Sequence, residues 1–172
     1  MNAAPPHEAE AALLTCCGSL RWARRVAAHR PYPDLDALLA ASDEAAYDLP
    51  PGDLAEALAR EPLDQAVPHQ GTPGATYTAA HTALRAAHAA YESRFGHSFV
   101  VCLDHVPADE ALDHLLCALR SRLGNDPEEE RALAADELRR LARGRLARLA
   151  ARHAAAGPTR PGARPDSPYV PV

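Results

Sequence analysis

The sequence lacks the short motifs that mark the commonest catalytic and cofactor sites. It has no G-x-S-x-G elbow for a serine nucleophile, no glycine-rich phosphate-binding loop and no H-E-x-x-H zinc pair. Its four cysteines show no C-x-x-C spacing, so we expect reduced, mostly buried thiols and no metal site. Any activity encoded here therefore has to be chemically simple and independent of a cofactor.

Long apolar runs and a surplus of basic residues are also missing. No stretch approaches the roughly 18 apolar residues of a membrane span, and no basic region followed by an apolar one opens the chain. The 172 residues carry a formal net charge of −5, which gives no support to a nucleic-acid surface. We therefore expect a cytoplasmic protein with no membrane or nucleic-acid partner.

Apolar residues recur at helical spacing along most of the chain, which predicts an all-α fold. The residues placed to cap helices are Ser19, Asp34, Asp53 and Asp126, and Glu56 would complete a capping box with Asp53. We expect an irregular bundle of about seven or eight helices in a single domain, residues 1–156. The proline-rich segment 157–172 shows no helical pattern and predicts a disordered tail.

The clearest helical pattern runs from residue 76 to residue 95. Its inward stripe includes His81, Leu84, His88, Tyr91 and Phe95. The two histidines are seven residues apart, about 10 Å along a helix, so they cannot share one metal ion. Each is either a satisfied core or cleft histidine or a contact to ligand.

The segment after this helix has the form of a binding site. Gly96 stops the helix, and five consecutive apolar residues follow: Phe99, Val100, Val101, Cys102 and Leu103. Such an extended segment leaves backbone N–H and C=O groups without helical partners, in a place rigid enough to hold a ligand. The alternative is a plain helix end followed by a buried connector.

Arg145 stands out on the last predicted helix because it shares the phase of an apolar stripe. The stripe consists of Ala134, Leu138, Leu141 and Leu149. A guanidinium there either extends to the surface or meets an anion. We expect it to reach a cleft facing the backbone of residues 99–103, and its removal as an unpaired charge to cost little stability.

Four separated motifs resemble those of the OHCU decarboxylases, in the order that this family has them. They are C-C-G-S-x-x-W-A from Cys16, Y-x-x-x-F-G-x-x-F-V-V-C from Tyr91, R-x-x-N-D from Arg122 and E-L-R-R-L-A-R-G-R-L from Glu137. The resemblance implies an all-α fold and a cofactor-free lyase of purine metabolism. Its substrate would be 2-oxo-4-hydroxy-4-carboxy-5-ureidoimidazoline (OHCU), decarboxylated to (S)-allantoin in urate degradation.

The resemblance also implies roles for individual residues. Arg145 falls on the arginine that lies at the substrate in relatives, and residues 99–103 fall on the segment that binds the substrate ring through its backbone. Three positions depart from the family. Glu61-Pro62 replaces the His-Pro pair that holds the catalytic histidine, His69-Gln70 is the closest counterpart of a Glu-Gln pair, and His88 replaces an asparagine.

Two hypotheses follow from these departures. In the first, a carboxylate and an imidazole have exchanged places between positions 61 and 69, so that one acid and one base still face the substrate. The catalytic candidates are then Glu61, His69 and His88, and the substrate-binding candidates are Pro62, Gln70, Phe99, Val100, Val101, Cys102, Leu103 and Arg145. A glutamate is ordinarily ionised at neutral pH, whereas an imidazole titrates near it and is the better proton donor.

In the second hypothesis the chain is a non-catalytic paralogue that keeps the fold as a small-anion-binding or protein-interaction module. Both hypotheses imply no cofactor and no metal. A small anionic substrate or ligand and a possible homodimer are the expected partners.

Overall fold

The computed structural model describes residues 2, 4–61 and 75–155. The helix is the one kind of regular secondary structure in these ranges. The seven helices are α1 (Pro6–Leu14), α2 (Leu20–Ala28), α3 (Leu35–Tyr47), α4 (Pro51–Ala59), α5 (Ala75–Phe95), α6 (Ala111–Arg122) and α7 (Pro127–Ala155). No strand is present in these ranges, which confirms the predicted all-α class. The predicted tail, residues 157–172, lies outside the described residues.

Three of the predicted helix caps are present. The Ser19 side chain accepts a hydrogen bond from the Trp22 N–H at 3.3 Å, and that of Asp34 accepts from the Ala37 N–H at 2.8 Å. Asp126 accepts from the Glu128 N–H at 2.8 Å, at the start of α7. Each carboxylate or hydroxyl satisfies an N–H that the first helical turn leaves without a partner.

Two helices, α4 and α6, begin without a hydrogen bond from a side-chain cap. Helix α4 begins at Pro51 behind Pro50, so Asp53 lies inside its first turn and the predicted capping box is wrong. A proline at the first helical position loses no hydrogen bond and has its φ angle already set, which explains this start. Helix α6 begins at Ala111 rather than near Pro107, because residues 107–110 form a turn closed by the Glu110 N–H on the Pro107 carbonyl.

The buried apolar side chains form two clusters. The first core joins α1 to α4 with α7 and includes Leu13, Trp22, Leu39, Leu58, Leu138 and Leu146. The second core joins α5 and α6 and includes Leu84, Tyr91, Phe99, Leu115 and Leu119. Burial of these side chains from water is the main contribution to folding.

Residues 99–103, named here the connector, lie between the two cores. Gly96 follows α5 with a φ of +73°, a left-handed conformation that suits glycine and ends the helix as predicted. Beyond it Val100 belongs to the first core and Phe99 and Val101 to the second. Alternation of this kind is expected of extended backbone, whose successive side chains point to opposite sides.

No helix within the described ranges is both long enough and apolar enough to cross a membrane. The same ranges contain no cluster of three or more His, Cys, Asp or Glu side chains placed to hold a metal ion.

Candidate functional site

Glu61 and Arg145 form a paired ion site between the end of α4 and the middle of α7. Glu61 directly follows the last turn of α4 and is only 8% exposed. Arg145 Nη1 donates to Glu61 Oε1 and Arg145 Nη2 to Glu61 Oε2, both at 2.7 Å. Nη1 also lies 3.3 Å from the carbonyl oxygen of Cys16. The guanidinium therefore holds a carboxylate in two parallel hydrogen bonds, the strongest geometry for this pair.

This arrangement corrects one expectation about Arg145. The predicted inward position is present, but the charge is paired within the chain, and its partner is Glu61 rather than the connector backbone. The hydrogen bonds that Arg145 donates to Glu61 raise the pKa of Arg145 above its ordinary value, and they outweigh the opposing effect of burial. Arg145 is therefore not the unpaired charge that could be removed at little cost in stability.

Two thiols lie buried beside this ion pair. Burial is the main cause that raises the pKa of Cys16, and it raises the pKa of Cys17 to about 11. A thiol with a raised pKa is protonated and unreactive at neutral pH, so neither serves as a nucleophile. Cys102 is half-buried and Cys117 exposed, so only two of the four thiols are as buried as predicted.

Two backbone groups of the connector are already hydrogen-bonded within the chain. The Val100 carbonyl accepts from Arg122 Nη1 at 2.6 Å, and the Cys102 N–H donates to Glu137 Oε2 at 2.7 Å. Neither partner is a backbone group of a helix: two charged side chains supply the hydrogen bonds that these buried peptide groups need. Contact between residues 99–103 and the substrate therefore stays a prediction.

His88 lies on the face of α5 that carries Leu84 and Tyr91, two residues of the second core. It is 9% exposed, and its Nδ1 stands 3.6 Å from Glu92 Oε2, beyond hydrogen-bond distance. Its Nε2 is buried and has no hydrogen-bond partner among the residues that the structure describes. Among the described residues no hydrogen bond or ion pair joins His88 to Glu61 or Arg145. The other candidates, Pro62, His69 and Gln70, lie outside the described residues.

A family model described as OHCU decarboxylase matches residues 2–147. The chain belongs to the OHCU decarboxylase family. This result confirms the resemblance that the four motifs indicated, and it covers every helix described above except the last turns of α7.

Two solved structures share the fold of this family member. One is an OHCU decarboxylase crystallised in the presence of (S)-allantoin, with a TM-score of 0.64 and 24% identity over 79% of this chain and 94% of that one. The other is an (S)-allantoin synthase, with a TM-score of 0.63 and 19% identity over 86% of this chain and 52% of that one. This chain thus spans about half the length of the allantoin synthase. Comparison with curated proteins found no match.

A buried charge network in this OHCU decarboxylase family member was not foreseen from the sequence. Glu130, with no exposed surface, accepts hydrogen bonds from Arg122 Nε at 2.8 Å, from Asn125 Nδ2 at 2.8 Å and from the Tyr91 hydroxyl. It is the third of three glutamates at the start of α7, and helix phase alone could have marked it as the one facing inward. The network explains the R-x-x-N-D motif, since Arg122 and Asn125 bind one buried carboxylate.

Proposed function

We propose that the chain is a cofactor-independent decarboxylase of the OHCU type, which converts 2-oxo-4-hydroxy-4-carboxy-5-ureidoimidazoline to (S)-allantoin in urate degradation. The observation that carries the proposal is the contact between Glu61 and Arg145. These residues, 84 positions apart, are the two that the resemblance places on the catalytic histidine and the substrate arginine of the family. Family membership favours this activity over a binding or assembly module.

The proposed reaction needs no cofactor because the substrate's own conjugated system accepts the electrons. The bond from the ring carbon to the carboxylate breaks, CO2 leaves and the electron pair passes into the conjugated imine. The carbon that lost CO2 becomes a carbonyl as its hydroxyl gives up a proton. A proton reaches the neighbouring carbon, which bears the ureido group, from one face, and this step fixes the configuration of allantoin. The protein has to position the carboxylate, exclude water and deliver that proton.

In this proposal Arg145 binds the anionic substrate in place of Glu61. The guanidinium of Arg145 already binds the Glu61 carboxylate through two hydrogen bonds of 2.7 Å. The same geometry suits the carboxylate of the substrate. Because Glu61 occupies both Nη atoms, the substrate has to displace it, and the freed Glu61 is then placed to act as a base. His69 and His88 are the proposed proton donors, since an imidazole ring nitrogen can carry a proton and deliver it. The buried Nε2 of His88, which has no partner within the described ranges, supports the choice of His88.

The test is the formation of allantoin from freshly prepared OHCU, followed by circular dichroism to read the configuration. We expect the (S) enantiomer at a rate above that of spontaneous decay. Arg145→Ala should lower kcat/KM by roughly 10- to 100-fold, the factor for losing a hydrogen-bonded charge.

Arg143→Ala is the matched control, because Arg143 lies two residues away on α7 and pairs with Asp43 instead. If the unmodified protein gave racemic allantoin at the spontaneous rate, the decarboxylase hypothesis would be refuted. The non-catalytic binding or interaction module would then be the surviving hypothesis. The homodimer and the cytoplasmic location also remain proposals, and light scattering on the purified protein tests the former.

A further inference from the structure

The connector is held against one stripe of α7 by charged side chains. Glu137, almost fully buried, accepts the Cys102 N–H at 2.7 Å. Farther along the helix, Arg148 Nη1 donates to Asp104 Oδ2 at 3.0 Å, one residue beyond the connector. Positions 137, 144 and 148 are spaced by seven and four residues, so they lie on one face of the helix. The C-terminal end of the connector is therefore bound to this face at two points, Cys102 and Asp104.

Gly144 makes the close approach at Asp104 possible. A Cβ built on it would lie 2.0 Å from Asp104 Oδ2, far inside any real contact. Glycine in the interior of a helix is unfavourable by about 1 kcal/mol relative to alanine. Its presence here is explained by the carboxylate of Asp104, which lies directly on the bare backbone of α7.

We propose that Glu137 and Gly144 are positioning residues that fix the connector relative to Arg145. Arg145 follows Gly144 directly on α7, so a shift of Asp104 against Gly144 would also shift the backbone that carries the guanidinium. Neither residue contacts substrate in this proposal: Glu137 acts through the Cys102 amide and Gly144 through Asp104. The inference rests on the proposed function, because it assigns the connector and Arg145 to one site.

Positioning on this scale matters for the chemistry. A displacement of about 1 Å between reacting groups can lower a rate by about 100-fold. A merely structural role would instead lower the stability of the whole protein and leave the kinetics of the folded fraction unchanged. The two roles are therefore separable by experiment.

The first measurement is amide hydrogen exchange at Cys102, which requires no activity. In Glu137→Ala the amide loses a charged acceptor, and we expect exchange roughly 10- to 100-fold faster than in the unmodified protein. Glu137→Gln keeps an oxygen acceptor and should restore most of the protection. Asp136→Ala is the control. Asp136 is the residue before Glu137 on α7, and it pairs with Arg139 and Arg140. Unchanged exchange in Glu137→Ala would overturn the proposal.

The second measurement is the separation of kcat from KM for OHCU in Glu137→Ala, Glu137→Gln and Gly144→Ala. We expect kcat to fall at least tenfold in the two alanine variants, with partial recovery in Glu137→Gln and no change in Asp136→Ala. Faster exchange with unaltered kinetics in an active enzyme would also overturn the positioning role. If the unmodified protein fails to decarboxylate OHCU, the proposed function fails, and the exchange data alone decide whether the stripe holds the connector.

Discussion

At the scale of single residues, the pairing of Glu61 with Arg145 determines what the site can bind. In the free site the positive charge of Arg145 is balanced by the carboxylate of Glu61. An incoming anion therefore has to compete with that carboxylate for the guanidinium. Binding then depends on the difference between two carboxylate contacts rather than on the full attraction of a free charge. The position of Arg145 on an inward stripe could be read from helix phase. The identity of its partner could not, because Glu61 lies just after α4, 84 positions away in the sequence.

Glu61→Gln should therefore bind small carboxylates more tightly than the unmodified protein. The substitution keeps the size of the side chain but removes the charge that competes for Arg145. We expect the dissociation constant for acetate to fall roughly tenfold, the lower end of the range for a charged hydrogen bond. Calorimetric titration gives the measurement, and Glu61→Gln with Arg145→Ala is the control in which the gain should vanish. Equal affinity in Glu61→Gln and the unmodified protein would exclude competition by Glu61.

Arg145→Ala should destabilise the fold, because it leaves a nearly buried carboxylate without its partner. Removal of one member of a buried ion pair costs about 3 kcal/mol or more. Arg143→Ala removes the Arg143–Asp43 pair, in which the arginine side chain is 46% exposed, and should cost less than about 1 kcal/mol. Urea unfolding of both variants gives the comparison. Similar losses in the two would show that Glu61 regains water when Arg145 is absent.

At the scale of helices and connecting segments, local signals succeeded where a single residue decides the geometry. Ser19, Asp34 and Asp126 cap helices as predicted because a short polar side chain can reach the N–H groups of the first turn without tertiary help. The start of α4 was misplaced because Pro50 and Pro51 set the backbone before Asp53 is reached. The partners of the connector were unpredictable, since Arg122 and Glu137 come from α6 and α7.

The contrast between Asp34 and Asp53 supplies a direct test of these helix starts. Asp34→Ala should cost about 1 kcal/mol of stability, because it removes the cap of α3. Asp53→Ala removes a charge inside the first turn of α4, where the helix dipole contributes roughly 0.3 kcal/mol when exposed. Urea midpoints of the two variants measure the difference. If Asp53→Ala lost more stability than Asp34→Ala, Asp53 would act as a helix cap, as the sequence predicted.

At the scale of the whole molecule, the all-α class follows from helical periodicity, and the seven helices fall within the predicted number. The division into two cores does not follow from the sequence, because it depends on which helices meet. The buried network of Tyr91, Arg122 and Glu130 was likewise hidden, since burial of a carboxylate is stable only with partners from other elements. These partners link α5, α6 and α7 at one point.

The chain contains no lysine, so its alkaline titration is confined to cysteine and tyrosine side chains, besides the N-terminus. Five of these groups have a pKa that burial raises in the folded protein: Cys16, Cys17, Tyr32, Tyr91 and Cys102. Burial, followed by the hydrogen bond to Glu130, raises the pKa of Tyr91. Burial also raises the pKa of Cys16, and it raises that of Cys17 from its ordinary 9.0 to about 11. In all five the folded state holds the proton more tightly than the unfolded chain does.

Stability should therefore be lost on the alkaline side. The contribution of each group is complete below its unfolded pKa and declines as the pH rises from there through the folded pKa. The shift at Cys17 alone corresponds to roughly 2 to 3 kcal/mol. We expect the urea midpoint to stay level from about pH 7 to 8.5 and to fall between about pH 9 and 11. Cys17→Ala should show a shallower fall over that range, and added salt, which screens surface charge, should leave most of the difference in place. A midpoint that stays constant to pH 11 would mean that these groups ionise as easily in the folded protein as in the unfolded chain.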